Sequence, residues 1–190
     1  MKLKYTFLAF FGLALSSQAA VIITTSSQAG PYTPSATDVI NGLSPLASSG
    51  DFGLESSGGI PILTDGLYPA LNLSSLATAG NGGGSGTFLT YQFATQDIFF
   101  VNVYGGWPDG GRDEQNFTLE FSSDNGATFG SSIASGLFGS VLGQSATLVS
   151  ISDDAGNLAT GVNAMRINFL AVENGYSGYA EIDVIPEPSS

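Results

Sequence analysis

Three short stretches set the pattern for the whole chain. In Phe117-Thr118-Leu119-Glu120-Phe121-Ser122, the apolar residues Phe117, Leu119 and Phe121 alternate strictly with polar ones. The same period of two returns in Met165, Ile167 and Phe169 against Arg166 and Asn168. It returns again in Ala180, Ile182 and Val184 against Glu181 and Asp183. Alternation of this kind turns one face of an extended strand to a core and the other to water. Further strands are predicted over 21–25, 87–93, 98–104 and 146–151. Residues 98–103 are apolar on both faces except at Asn102, which predicts a central strand covered on both sides. No segment sustains a 3.6-residue apolar period. The best helical stretch, residues 35–43, is short and runs into a glycine- and proline-rich segment.

The chain holds 26 glycines, concentrated between these strands as a turn-rich sandwich requires. Residues 79–86 are nearly all Gly, Asn and Ser and are predicted to form a flexible loop. Too few strands precede that loop to close a separate core. The pattern therefore predicts one all-β domain, an antiparallel β-sandwich over residues 20–185.

The two ends carry different information. Lys2 and Lys4 precede an apolar run over 7–15, and Ser17-Gln18-Ala19 supplies small residues, which together make a secretory signal over 1–19. The run is too short to span a bilayer, which needs about 20 residues. No other stretch is long and apolar enough to do so.

Loss of that signal leaves Arg112 and Arg166 against 16 acidic residues. Such a surface repels phosphate backbones and anionic lipid, which argues against a nucleic-acid partner. Acidic excess suits calcium, a hard cation that takes carboxylate and carbonyl oxygens. The sequence has no cysteine and no histidine, so Ser-His-Asp and Cys-His catalysis and the usual zinc sites are closed. Of the common hydrolytic designs a glycosidase carboxylate pair stays open, with Asp109 and Glu114 or Asp153 and Asp154 as the candidates. Neither pair lies in a recognisable catalytic motif, and no enzyme activity is expected.

Two loops carry candidate chemistry. Ser122-Ser123-Asp124-Asn125-Gly126-Ala127-Thr128-Phe129 matches the Asp-box pattern, read here as a hairpin. In it Asp124 bonds to amides ahead, Gly126 takes a positive φ and Phe129 re-enters the core. The loop around Trp107, Asp109, Arg112 and Asp113 holds the only tryptophan. A ring stacked on a sugar face, with Arg and Asp bonding to hydroxyls, would make it a carbohydrate site, helped by Tyr176. In the alternative, Trp107 plugs the end of the core while Arg112 pairs with Asp109 or Asp113 to hold the loop.

Leu63-Thr64-Asp65-Gly66, Tyr91-Gln92-Phe93, the strands flanking Trp107 and Tyr179-Ala180-Glu181-Ile182 follow one another in an order that resembles the discoidin-like, or galactose-binding-like, jelly roll of about eight strands. The resemblance covers residues 21–185. It implies a structural calcium held by carboxylates of Asp65 and Glu181, with backbone carbonyls completing the shell. The alternative is an Asp that caps its own turn and a solvated strand Glu. The sequence departs from the discoidin pattern at Leu67-Tyr68-Pro69 and in the glycine-rich loop.

Pro186-Glu187-Pro188 resembles the start of the PEP-CTERM sorting signal of bacterial envelope proteins, which an exosortase-type enzyme processes. In that family an apolar span and a basic cluster follow. Here the chain stops at Ser190, so residues 186–190 are read as a truncated signal. Together the resemblances imply a non-catalytic protein exported to the cell surface or extracellular matrix. Its domain would bind carbohydrate such as extracellular polysaccharide, with the export and sorting machinery as further partners. A structural or adhesive matrix component with no defined ligand is the alternative.

Overall fold

The computed structural model describes residues 20–80, 87–139, 143–170 and 173–188. Residues 1–19, expected to form a secretory signal, most of the glycine-rich loop and the last two residues lie outside the described residues.

Nine strands follow in order: β1 (Val21–Gln28), β2 (Ala47–Ser49), β3 (Ala77–Gly80), β4 (Thr87–Trp107), β5 (Phe117–Ser122), β6 (Ile133–Ala134), β7 (Ser145–Asp153), β8 (Ala159–Phe169) and β9 (Tyr176–Pro186). All their pairings are antiparallel. The predicted strands over 87–93 and 98–104 are one 21-residue strand. The first half of β4 pairs with β2 and β8, and its second half with β7 and β9. Register shifts between Gln92 and Ile98 mark where it crosses from one layer to the other. Bulges bend a strand and raise its twist, which is what such a crossing needs. The layers are therefore β1-β7-β4-β9-β3 and β2-β4-β8-β5-β6.

The inward residues of both layers form one core. Leu89, Tyr91, Val101 and Val103 of β4 meet Phe117, Leu119, Val149, Ile151, Met165, Ile167, Ile182 and Val184 there. The alternating positions predicted for β5, β8 and β9 supply this core, except that Phe121 is half-buried at its margin and Ala180 packs outside it. A second cluster of Tyr68, Leu76, Tyr104, Trp107, Ala146 and Ala180 lies outside the first. The second half of β4 is central, between β7 and β9, but residues 98–103 are not covered on both sides as expected. Phe99 is exposed and Phe100 and Asn102 are half-buried, and the outer face is covered only from Tyr104 onward.

The lack of a sustained helical period holds among the described residues, and the Asp-box reading is corrected in part. Residues 35–43 form turns and no helix, because their backbone bonds run to other segments, as in Val39 N–H to Val184 O (3.0 Å) and Gly42 N–H to Thr64 O. Phe129 does not re-enter the core; it lies half-buried with the Arg166 guanidinium 4.1 Å from its ring. The rest of the Asp-box behaves as a turn. Asp124 accepts from Ser122 Oγ, Thr128 N and Thr128 Oγ1, and Gly126 has φ +81°. At the other end β9 runs to Pro186, one residue past the predicted boundary, and Glu187 N–H bonds to Asp97 O at 3.0 Å.

Candidate functional site

Two places on this frame gather chemistry. At one end of the sandwich three connections converge: the turn Leu54–Ser56, the loop between β4 and β5, and the turn Glu173–Gly175 ahead of β9. Glu55, Trp107, Asp109, Gly111, Arg112 and Asn174 line a groove of ≈ 180 Å³ there.

Arg112 is the hub. Its Nη1 donates to Glu55 Oε2 at 2.8 Å, and its guanidinium lies 5.1 Å from the centre of the Trp107 ring. The Arg112 carbonyl accepts from Gly178 N (2.7 Å), which ties the loop to β9. Arg112 Nε is buried without a hydrogen-bond partner. Asp109 turns its Oδ1 to Gly111 N (3.0 Å), and Asn174 Nδ2 donates to Gly111 O (2.8 Å). Glu55 and Asn174 both sit in the left-handed backbone region, at φ 55° and 46°. Non-glycine residues seldom adopt it, and such strain clusters at functional sites.

The expected site residues separate under this geometry. Asp109, Arg112 and Trp107 line one groove, but Trp107 is only 3% exposed. Arg112 lies over the ring, and Gly178 packs so close that a Cβ there would come within 2.6 Å of Trp107 Cε3. Trp107 is therefore packed into the second apolar cluster and supports Arg112 rather than offering a free stacking face. The partner of Arg112 is Glu55, not Asp109 or Asp113. Asp113 is buried and outside the groove lining. Tyr176 is half-buried against Gly80, with its hydroxyl 3.4 Å from Asp51 Oδ2, and also stands outside the lining. Sequence reasoning missed Glu55 and Asn174. An acidic residue in a Ser-Gly stretch and an Asn-Gly pair carry no signal beyond that of a turn.

The second place is a set of carboxylates beside β9. Asp65 is exposed and caps its own turn through Leu67 N–H (2.9 Å), while Gly66, at φ +73°, aims its N–H at Glu181 Oε2 (3.1 Å). Glu181 is not solvated: it is 0% exposed, as is Asp183 two residues on. With the half-buried Asp38, one oxygen from each of these three lies within 4.8 Å of the others. Burial pushes the Glu181 carboxyl up to about 9 and that of Asp38 to about 7, and raises that of Asp183. Asp183, Asp65 and Asp38 add like-charge pressure on Glu181. The donor set suits a calcium ion, because buried carboxylate oxygens without hydrogen-bond partners are hard ligands in want of a cation.

Of the carboxylates in the glycosidase reading, Asp109 accepts from Gly111 N. Asp153 Oδ1 accepts from Ala155 N and Asp154 Oδ1 from Ala20 N.

No family model matches the chain, and no curated protein matches it. Its similarities are to solved structures. The chain is similar to a fucose-binding module from Streptococcus pneumoniae at 15% identity and TM-score 0.53, covering 79% of this chain and 95% of that one. It is similar to the C-terminal domain of a chitobiase from Bacteroides fragilis at 16% identity and TM-score 0.50, covering 77% and 95%. A third structure contains the CBM32-1, CBM32-2 and M60 catalytic domains of ZmpB from Clostridium perfringens. It matches at 14% identity and TM-score 0.53, covering 87% of this chain. The match spans only 17% of that larger protein. At these identities the likeness is one of fold. The chain is an all-β antiparallel sandwich of the galactose-binding-like class, the jelly roll that the order of its sequence features resembles.

Proposed function

We propose that this chain is an exported, non-catalytic carbohydrate-binding domain that takes one sugar ring in the groove around Arg112. The observation that carries the reading is the convergence in one groove of the Arg112 guanidinium, held by Glu55 and the Trp107 ring, with the polar groups of Glu55, Asp109 and Asn174. A mixed set of donors and acceptors at fixed spacing is what sugar hydroxyls bond to. The groove is smaller than the roughly 300–1,000 Å³ of drug-sized ligand pockets. Its size favours a terminal monosaccharide over an internal stretch of chain. A fucose-class sugar is the first ligand to try, given the fold shared with a fucose-binding module.

The rest of the reading comes from the ends and from β9. The segment over 1–19 directs export, and Pro186-Glu187-Pro188 begins a sorting signal for an exosortase-type enzyme, with extracellular polysaccharide as the partner outside the cell. One structural calcium bound at Glu181 beside the Asp65 turn holds the fold.

A glycan array, repeated on extracellular polysaccharide, tests the binding claim. The expected result is retention on at least one glycan and a loss of tenfold or more in Arg112→Ala. No retention by the unaltered chain, or equal retention by a folded Arg112→Ala, overturns it. One observation favours a second reading: with Trp107 buried, the groove lacks an aromatic platform. A structural or adhesive matrix component follows if no glycan is retained.

A further inference from the structure

We propose that Asp38 and Asp183 join Glu181 as ligands of one calcium-sized cation, and that the ion clamps the segment around residues 35–40 onto the terminal strand. The inference rests on the calcium reading of Glu181 but assigns two carboxylates that the resemblance does not.

The support is in how each carboxylate is held. One oxygen of each is fixed by the protein. Asp38 Oδ1 accepts from Ile40 N (3.1 Å) and Val184 N (2.7 Å). Asp183 Oδ2 accepts from Ser35 N (2.7 Å) and Tyr104 OH (2.9 Å), and Glu181 Oε2 from Gly66 N (3.1 Å). The other oxygen of each, Asp38 Oδ2, Asp183 Oδ1 and Glu181 Oε1, is buried without a hydrogen-bond partner. Outer bonds that orient a carboxylate and leave its second oxygen free are those that surround metal ligands.

Size agrees as well. Two oxygens that share an ion at about 2.4 Å lie at most about 4.8 Å apart. One oxygen from each of the three carboxylates already lies within 4.8 Å of the others.

Charge points the same way. Three carboxylates pressed together, with Glu181 and Asp183 fully buried, need a balancing positive charge. Among the described residues the basic side chains are Arg112 and Arg166. The first pairs with Glu55, and the second lies on Phe129 and bonds to Thr90 Oγ1. Neither serves the cluster.

The clamp follows from connectivity. Val39 N–H bonds to Val184 O at 3.0 Å, and the bonds through Ser35 and Asp38 reach the same strand, so an ion shared by Asp38 and β9 bridges both segments.

The test uses the full mature chain, stripped with EDTA and titrated with Ca²⁺. Calorimetry gives stoichiometry, thermal melting gives the shift, and hydrogen exchange follows the amides of Ser35, Val39 and Ile40. The expected result is one ion per chain. Melting should rise by about 5–10 °C at a hundredfold excess over Kd, and those amides should exchange more slowly. Asp38→Asn and Asp183→Asn should each cut calcium affinity at least tenfold. Each should melt in EDTA no lower than the unaltered chain, because it removes like-charge pressure. That reversal of sign separates a ligand from a carboxylate that only supports the fold. Calcium binding that needs Glu181 but is indifferent to both Asp→Asn variants overturns this inference and leaves the calcium reading standing. No binding at millimolar Ca²⁺ overturns both.

Discussion

The Arg112 guanidinium lies 5.1 Å from the centre of the Trp107 ring, and that ring is itself pinned from the side of Gly178. The tryptophan thus belongs to the second apolar cluster and the arginine to the groove, and the second is placed by the first. Fold and binding are coupled at this contact.

Removing the support should act on stability first. Trp107→Ala is expected to destabilise by about 3–5 kcal/mol, the range for deleting a large buried aromatic. Trp107→Phe should cost less and keep part of the stack. Chemical denaturation measures both. A Trp107→Ala variant within about 0.5 kcal/mol of the unaltered chain would remove this packing role.

Gly178→Ala gives an independent test of the same packing. A Cβ at this position would collide with Gly106 O and come within 2.6 Å of Trp107 Cε3. Overpacking typically costs about 1–3 kcal/mol. The variant should melt lower and lose glycan retention with it, whereas Gly136→Ala, with open space around its Cβ but φ +72°, should show only backbone strain.

Glu55 and Arg112 form a partly exposed pair, at 47% and 17% exposure, so the ion pair itself adds little to stability, about 0–1 kcal/mol. Its role in aiming the guanidinium is larger. Glu55→Gln should leave the melting temperature within a few degrees and weaken sugar binding several-fold. Arg112→Lys should bind as poorly as Arg112→Ala, since an ammonium lacks the planar fork. Titration calorimetry with the best glycan from the array reads both, and a fully active Arg112→Lys would contradict the geometry.

Acid should act through Asp124. Its carboxyl is held down to about 2 by hydrogen bonds from Ser122 first and then Thr128. A folded value below the ordinary 3.8 means that the group stabilises the hairpin above that pH. The contribution is lost as pH falls from near 3.8 through about 2. The melting temperature of Asp124→Ala should lie below that of the unaltered chain near neutral pH and converge with it below about pH 2. A constant gap across that window would mean that the loss is not electrostatic.

Much of the core was legible because alternation is a local property. Phe117, Leu119, Met165, Ile167, Ile182 and Val184 each announce their face through their neighbours. The crossing of β4 was not legible, since a strand that changes layers keeps its extended pattern and only its partners change. Alternation also assigns Glu181 and Asp183 correctly to the face away from the core. It does not tell that the turn at Gly66 and the segment around Ser35 and Asp38 cover that face and leave both residues buried. At the groove, Asp109 and Arg112 were found through their tryptophan, whereas Glu55 enters only because its backbone takes a left-handed turn. Contacts made across the fold leave no local signature.

The single tryptophan gives a direct reading of the central claim, because it yields one indole N–H resonance, placed under Arg112 at the groove. Titrating the ¹⁵N-labelled chain with the glycan selected on the array should move that resonance together with the Arg112 Nε–H signal. Arg112→Ala should abolish the response while the core signals stay in place. A glycan that saturates the protein and leaves both resonances unmoved would show that the sugar is held elsewhere.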